Sequence, residues 1–154
     1  MVCVGKLKEP WLREACAEYL KRLSRFGNYA VREVDDLPEP AKPSEALDRQ
    51  VMDKEGKAIL KQIRPGEHVI AMCIRANAPD SEKLAEHLGS LSAKSERIVF
   101  VIGGSLGLSD EVLARADERI SLSNLTMPHG VARVVLLEQL YRSEKILAGE
   151  RYHK

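Results

Sequence analysis

Hydrophobic residues fall along this chain in two kinds of run: short blocks of consecutive apolar positions, and longer stretches where they recur every three or four residues. The first kind predicts strands buried on both faces, the second helices with one buried stripe. Met1 to Val4, ended by Gly5, predicts strand one. Pro10 suits a first helical turn, and Leu12, Ala15, Cys16, Tyr19, Leu20 and Leu23 share one face until Gly27 stops the helix. Lys21, Arg22 and Arg25 near its end suit the helix dipole better than contact with an RNA backbone. Tyr29 to Val34 predicts strand two, and Pro38, Pro40 and Pro43 then impose a mobile loop. Ser44 caps a second helix whose Leu47, Val51, Met52, Ala58, Ile59 and Ile63 form a buried stripe up to Arg64-Pro65-Gly66.

His68 to Ile74 predicts strand three, and Asp80 or Ser81 caps a short helix through Leu84, Ala85 and Leu88. Ile98 to Ile102 is strand four, running into Gly103-Gly104-Ser105-Leu106-Gly107, where the glycines permit positive φ and close approach of a ligand to the main chain. Ser109, Asp110 and Glu111 open a helix to about Ala116, and Arg119 to Leu122 is strand five. The last helix, Val131 to Leu147, places Ala132, Leu136, Leu140 and Leu147 on one face. Val131, Val134, Val135, Glu138 and Arg142 lie on another, suited to a partner subunit, to burial or, for the acid and base, to a solvated ion pair. Strands alternating with helices predict one α/β domain: a mostly parallel five-stranded sheet, helices on both faces. A ligand crevice belongs at the carboxyl ends of its strands, at the glycine turn and the loop Ser121 to Gly130.

Composition narrows the classes. At 154 residues, with 44% hydrophobic and 31% charged residues, the chain has no apolar run long enough for a bilayer and no secretory leader, which predicts a cytoplasmic protein without a membrane partner. Cys3, Cys16 and Cys73 form no C-x-x-C pair and read as buried hydrophobes; no metal site is predicted. A net charge of +1 leaves any RNA to be held by a local patch. The glycine turn lacks the G-x-G-x-x-G spacing, follows the fourth strand rather than the first, and has no ribose-binding acid about twenty residues on, so a nicotinamide cofactor is disfavoured. Asn124-Leu125-Thr126 matches a glycosylation sequon, which has no meaning without a leader.

Four segments together resemble the RlmH family of SPOUT methyltransferases. They are Ile102-Gly-Gly-x-x-Gly107, Leu122-Ser-x-Leu-Thr-x-Pro-His129, Arg133-Val-x-Leu-x-Glu-Gln-x-Tyr-Arg142 and the terminal Tyr152-His153-Lys154. The resemblance runs nearly end to end and includes Val4-Gly5-Lys6 and Asp53-Lys54-Glu55-Gly56; the amino end is a few residues shorter than the family pattern. It implies a homodimer that uses S-adenosylmethionine to methylate N3 of a pseudouridine in large-subunit (23S) ribosomal RNA. It also implies a carboxyl-terminal trefoil knot holding the cofactor, which chain physics alone disfavours. Carried over by motif, the cofactor contacts are Met72, Gly104, Ser123, Asn124, Leu125, Thr126, Met127 and Pro128. Met72, Leu125 and Met127 offer apolar walls to adenine, though the same residues would also suit an ordinary core.

The sulfonium already activates its methyl group, so the residual chemistry is placement of the nitrogen and handling of its proton. His129 and His153 suit the proton. Arg142, oriented by Glu138, suits an anionic base or a phosphate, and Tyr152 suits stacking on or hydrogen bonding to the target base. A capping histidine, a surface ion pair and a disordered tail are the structural alternatives. A non-catalytic RNA-binding or ribosome-assembly protein using the same crevice is the alternative function.

Overall fold

The computed structural model describes residues 1–94 and 97–153; Lys154, part of the tail motif, lies outside them. Its elements in order are β1 (Val2–Val4), α1 (Pro10–Leu23), β2 (Arg32–Val34), α2 (Glu45–Leu60), β3 (His68–Asn77), α3 (Ser81–Ala93), β4 (Ile98–Ile102), α4 (Asp110–Arg115), β5 (Glu118–Ile120) and α5 (His129–Leu147). The strands form one sheet in the order β2-β1-β4-β3-β5, and every pairing is parallel.

Burial on both faces follows directly from the apolar blocks. In β4, Val99 and Val101 enter one core layer while Phe100 and Ile102 enter the other; in β1, Val2 and Val4 oppose Cys3 in the same way. The larger layer also holds Leu136, Leu137, Leu140 and Tyr141 of α5, with α1 and α3 packed on either side of that helix. The smaller layer takes Ile59 of α2 and Val112 of α4.

Local chemistry sets the helix starts. Ser44, Asp80 and Ser109 each accept a hydrogen bond from the amide three residues on, at 3.3, 2.8 and 3.3 Å.

Several boundaries depart from the sequence pattern. β2 spans Arg32–Val34 rather than starting at Tyr29, because β1 offers only three partners. Ahead of that pairing, the amino-terminal ammonium holds the Ala30 carbonyl at 2.9 Å, and the Tyr29 hydroxyl donates to Glu144. α1 and α2 stop at Leu23 and Leu60, where i−3 bonds from Phe26 to Leu23 and from Ile63 to Leu60 tighten into turns. β5 is Glu118–Ile120, since Ser121 leaves the ladder for a turn. β3 runs past Ile74 to Asn77, its end fixed by a 2.8 Å bond from the Ser121 amide to the Asn77 carbonyl rather than by apolar burial. α5 starts two residues early, at His129, with Pro128 at its cap. Leu47 and Leu147, expected on buried faces, are 41% and 48% exposed, each in an end turn of its helix. Cys3 and Cys16 are buried, but Cys73 is only partly so.

One close approach is demanded by glycine. A Cβ on Gly56 would lie 2.1 Å from the Oγ of Ser109, the cap of α4. The hydroxyl cannot yield without giving up the cap, so overpacking of about 1–3 kcal/mol outweighs the roughly 1 kcal/mol of helix propensity gained by alanine. Gly56→Ala is therefore expected to lower the urea midpoint, and Gly56→Ala with Ser109→Gly to lose less than the two single losses added. Strict additivity in that cycle would show that the contact is not the cause.

Candidate functional site

The carboxyl ends of β3, β4 and β5 meet at a crevice of about 550 Å³, open mouth included. Its wall is made by Met72, Cys73 and Ile74 of β3, Ile102 and Gly103 at the end of β4, Ser121 to Ser123, Leu125 and Met127 of the loop after β5, and His129 and Ala132 of α5. The loop is shaped by its serines. Ser121 Oγ donates to the carbonyls of Ser123 (2.8 Å) and Ile74 (3.3 Å), and Ser123 Oγ accepts from the Leu125 amide at 2.9 Å. These bonds tie the loop to β3 at Ile74 and leave Leu125, 78% exposed, and Ile74, 64% exposed, on the open rim of the crevice. The amino terminus of α5, with its uncompensated N–H groups, opens on the same space and favours negative charge there.

Of the residues expected at the cofactor, Met72, Ser123, Leu125 and Met127 line the crevice, together with His129. Asn124, Thr126 and Pro128 lie in the same loop, exposed and outside the lining. The glycine turn differs from its sequence reading. Only Gly107 has a positive φ (98°); Gly103 and Gly104 do not. Gly103 is the lining glycine, and it is required because a Cβ there would stand 2.4 Å from the Gly107 carbonyl oxygen. A Cβ on Gly104 would point behind the crevice, 2.9 Å from Glu55 Oε2 and 3.2 Å from Val4. A valine at 104 thus strikes Glu55 and the sheet before any ligand, so it disturbs folding as well as the site.

The expected catalytic residues fall into two groups. His129 is at the crevice. Arg142 stands thirteen residues further along α5, about 20 Å between backbones at 1.5 Å per residue, and Tyr152 and His153 of the tail fold back onto it. There Glu138 Oε1 accepts from Arg142 Nη2 (2.5 Å) and from the Tyr152 hydroxyl (3.2 Å). The Arg142 guanidinium lies 4.8 Å over the Tyr152 ring, and His153 Nδ1 stands 3.5 Å from Arg142 Nη1. Tyr152 packs edge-on against Tyr141 at 5.0 Å. Burial, with Tyr19 and Glu138 nearby, pushes its hydroxyl up to about 12. The tail is therefore anchored by its tyrosine, although the sequence around it shows no apolar period. A second cavity, reached past Leu122, connects Met72 and Ser121 to His153.

Sequence reasoning placed Ser121 and Leu122 in the crevice loop but gave Cys73 and Ile74 no part in the site, because both read only as members of an apolar strand. It also missed two buried ionic groups. Glu55, 4% exposed, accepts from the Leu37 amide at 3.0 Å and backs the glycine turn. Arg133, 1% exposed, donates from Nη2 to the carbonyls of Val4 and of Gly5 (2.7 Å), and pairs through Nη1 with Glu33 at 2.9 Å. Their place inside helical apolar faces was the available signal.

With this geometry in view, the comparisons define the class. A family model described as "Predicted SPOUT methyltransferase" matches residues 1–153, and the chain belongs to the SPOUT methyltransferases, in the family of relatives named ribosomal RNA large subunit methyltransferase H. The protein of that name from Listeria monocytogenes serotype 4b is 48% identical over 155 residues, covering 100% of this chain and 98% of its own. The one from Pelotomaculum thermopropionicum is also 48% identical, over 99% and 96%. The crystal structure of TrmJ from Z. mobilis ZM4 shares the fold, with a TM-score of 0.50 at 15% identity over 92% of this chain and 68% of that one. Among the described residues no helix is long and apolar enough to cross a membrane.

Glu55 gives this site a pH dependence. Burial chiefly, and Asp36 in addition, raise its carboxyl above the ordinary 4.5, against the Leu37 amide. A raised folded-state value means that the group's contribution to stability is complete below the unfolded value and is lost as pH rises through the folded one. Glu55→Gln keeps an acceptor for Leu37 and cannot ionise. Its melting temperature is expected to gain on wild type as pH goes from about 4 to 8; a difference constant across that range would contradict the assignment.

Proposed function

We propose that this protein is an S-adenosylmethionine-dependent methyltransferase acting on N3 of a pseudouridine in large-subunit ribosomal RNA, as a cytoplasmic homodimer built from one SPOUT domain. The observation that carries the reading is the crevice at the carboxyl ends of β3, β4 and β5, closed by a serine-set loop, in a chain alike from end to end to proteins named for that RNA. The knotted path implied by resemblance agrees with a loop that leaves β5 at the sheet edge and returns to α5 beneath β4.

The residues present fit the cofactor. Met72, Leu125 and Met127 give an adenine ring apolar contact, the irregular loop leaves main-chain donors and acceptors for its edges, and the α5 terminus favours a carboxylate. When bound, the cofactor supplies a methyl group already activated by its sulfonium. The protein then has to orient the base and move one proton. His129 stands on the crevice wall as the nearest group suited to the proton. Glu138 fixes the Arg142 guanidinium in a bidentate-capable pose over Tyr152, a charged and aromatic surface for an anionic base or a phosphate.

Because His129 and Arg142 stand about 20 Å apart along one rigid helix, one chain does not present both groups to a single base at its crevice mouth. A second copy does so if it covers the apolar rim formed by Ile74 and Leu125 and continued by the half-buried Val131 and Val135.

The direct test incubates ribosomes from a strain lacking this protein with labelled S-adenosylmethionine and maps the labelled nucleotide. His153→Ala is expected to lower methyl transfer at least about tenfold, about 1.4 kcal/mol, with cofactor affinity unchanged. A full rate would make the tail a bystander. Val135→Glu is expected to give monomers with little activity; sedimentation showing a fully active monomer would refute the shared site.

A further inference from the structure

The loop between β1 and α1 has no part in the crevice chemistry described above, yet it is held with unusual care. Arg133, one turn into α5 from His129, grips the carbonyls of Val4 and Gly5. Arg13 Nη1 reaches back to the carbonyls of Leu7 (3.0 Å) and Lys8 (2.5 Å). Gly5, at φ 80°, makes the turn out of β1. The loop is also pressed onto the crevice helix itself: a Cβ on Gly130 would meet Leu12 at 2.9 Å and Leu7 at 3.2 Å. Two buried or half-buried leucines thus seat the start of α1 directly against the residue that follows His129.

What this seat carries outward is Lys6, Lys8 and Trp11, all exposed. Trp11 is 58% exposed, the largest side chain in the protein left in water although its helix has a well-filled apolar face. An exposed indole on a rigid backbone, next to two lysines, matches the parts of a single-stranded nucleic-acid platform: an aromatic face for a base and cations for the phosphates on either side. Of the acids nearest in the chain, Glu14 lies a turn into the helix beyond Trp11, while Glu9, exposed at the helix cap, stands between the lysines and Trp11 and offsets part of their charge.

We propose that Lys6, Lys8 and Trp11 form a shelf that holds an unpaired stretch of the RNA substrate beside the crevice, Trp11 stacking on a base next to the target and the lysines meeting its backbone. This rests on the RNA-methylating function proposed above and adds to it the contact that holds the strand. A purely structural tryptophan would be covered, and the bonds from Arg13 to the Leu7 and Lys8 carbonyls hold the lysines on a fixed backbone. The charges favour RNA over a second copy of the chain as the occupant, since a protein interface depletes lysine.

Trp11 is the chain's single tryptophan, so its fluorescence reports on the shelf alone. Titrating the protein with an oligoribonucleotide that carries a pseudouridine in an unpaired loop is expected to quench the emission in step with binding followed by filter retention. Trp11→Ala is expected to raise KM for ribosomes about tenfold, while kcat and S-adenosylmethionine affinity stay near wild type and Trp11→Phe recovers most of the loss. Lys6→Ala with Lys8→Ala should lower the slope of log affinity against log salt by about two. If wild type binds and methylates RNA but its emission does not change and Trp11→Ala keeps the wild-type KM, the shelf is refuted and the function stands. If wild type neither binds nor methylates RNA, both fall. Emission that shifts to the blue with protein concentration, without RNA, would give Trp11 to a second copy and overturn the proposal.

Discussion

A single buried guanidinium fixes where the helix that borders the crevice begins. Arg133 is 1% exposed, and a charge in that position is tolerable only because three acceptors surround it: the carbonyls of Val4 and Gly5 and the carboxylate of Glu33. Its Nε has no acceptor, so the arrangement is costly even as it stands. The return is positional. β1 lies inside the sheet between β2 and the central β4, and the carbonyls that Arg133 holds are at its carboxyl end. The same end of the sheet that opens the crevice therefore sets the axial position of α5, and with it the height of His129.

The crevice owes its shape to a different kind of force. Parallel strands end together, and the loops that leave β3 and β5 would separate if only apolar burial acted on them. Hydrogen bonds from Ser121 draw the two together, through its amide to Asn77 and its hydroxyl to Ile74 and Ser123. The outcome is an apolar wall set on a polar frame: the side chains of Met72, Leu125 and Met127 face a ligand because the serines have already satisfied the main chain behind them.

This division explains what was legible in the sequence. The strands at Ile98 to Ile102 and His68 onward, and the caps at Ser44, Asp80 and Ser109, were readable because each depends on residues near one another in the chain. The position of the crevice was readable too, since parallel topology places it. What could not be read were features decided across the sheet. Tyr29 left its expected strand for Glu144, more than a hundred residues away, and Gly104 proved to be shaped by Glu55 rather than by φ. Arg133 entered the sequence reading only as the start of a motif, since its partners Val4, Gly5 and Glu33 lie a hundred residues or more away in the chain. Family likeness named the loop as one stretch and did not distinguish Leu125 and Met127, which line the crevice, from Asn124 and Thr126, which do not.

The distribution of acids along α5 carries the argument one step further. Among described residues, the first two turns of that helix hold no carboxylate, while Glu138 and Glu144 follow in its second half. The crevice end is thus left to the helix dipole and to His129, and the cationic end is neutralised locally by Glu138 against Arg142. Neutralisation has a consequence for binding RNA. An arginine already paired at 2.5 Å presents a fixed plane rather than a free charge, so its value lies in orientation more than in long-range attraction. With a net charge of only +1, the chain draws little on its overall field to gather RNA. Affinity has to come from contacts that act at short range, and stacking on rigid aromatic surfaces is the short-range force that depends least on salt.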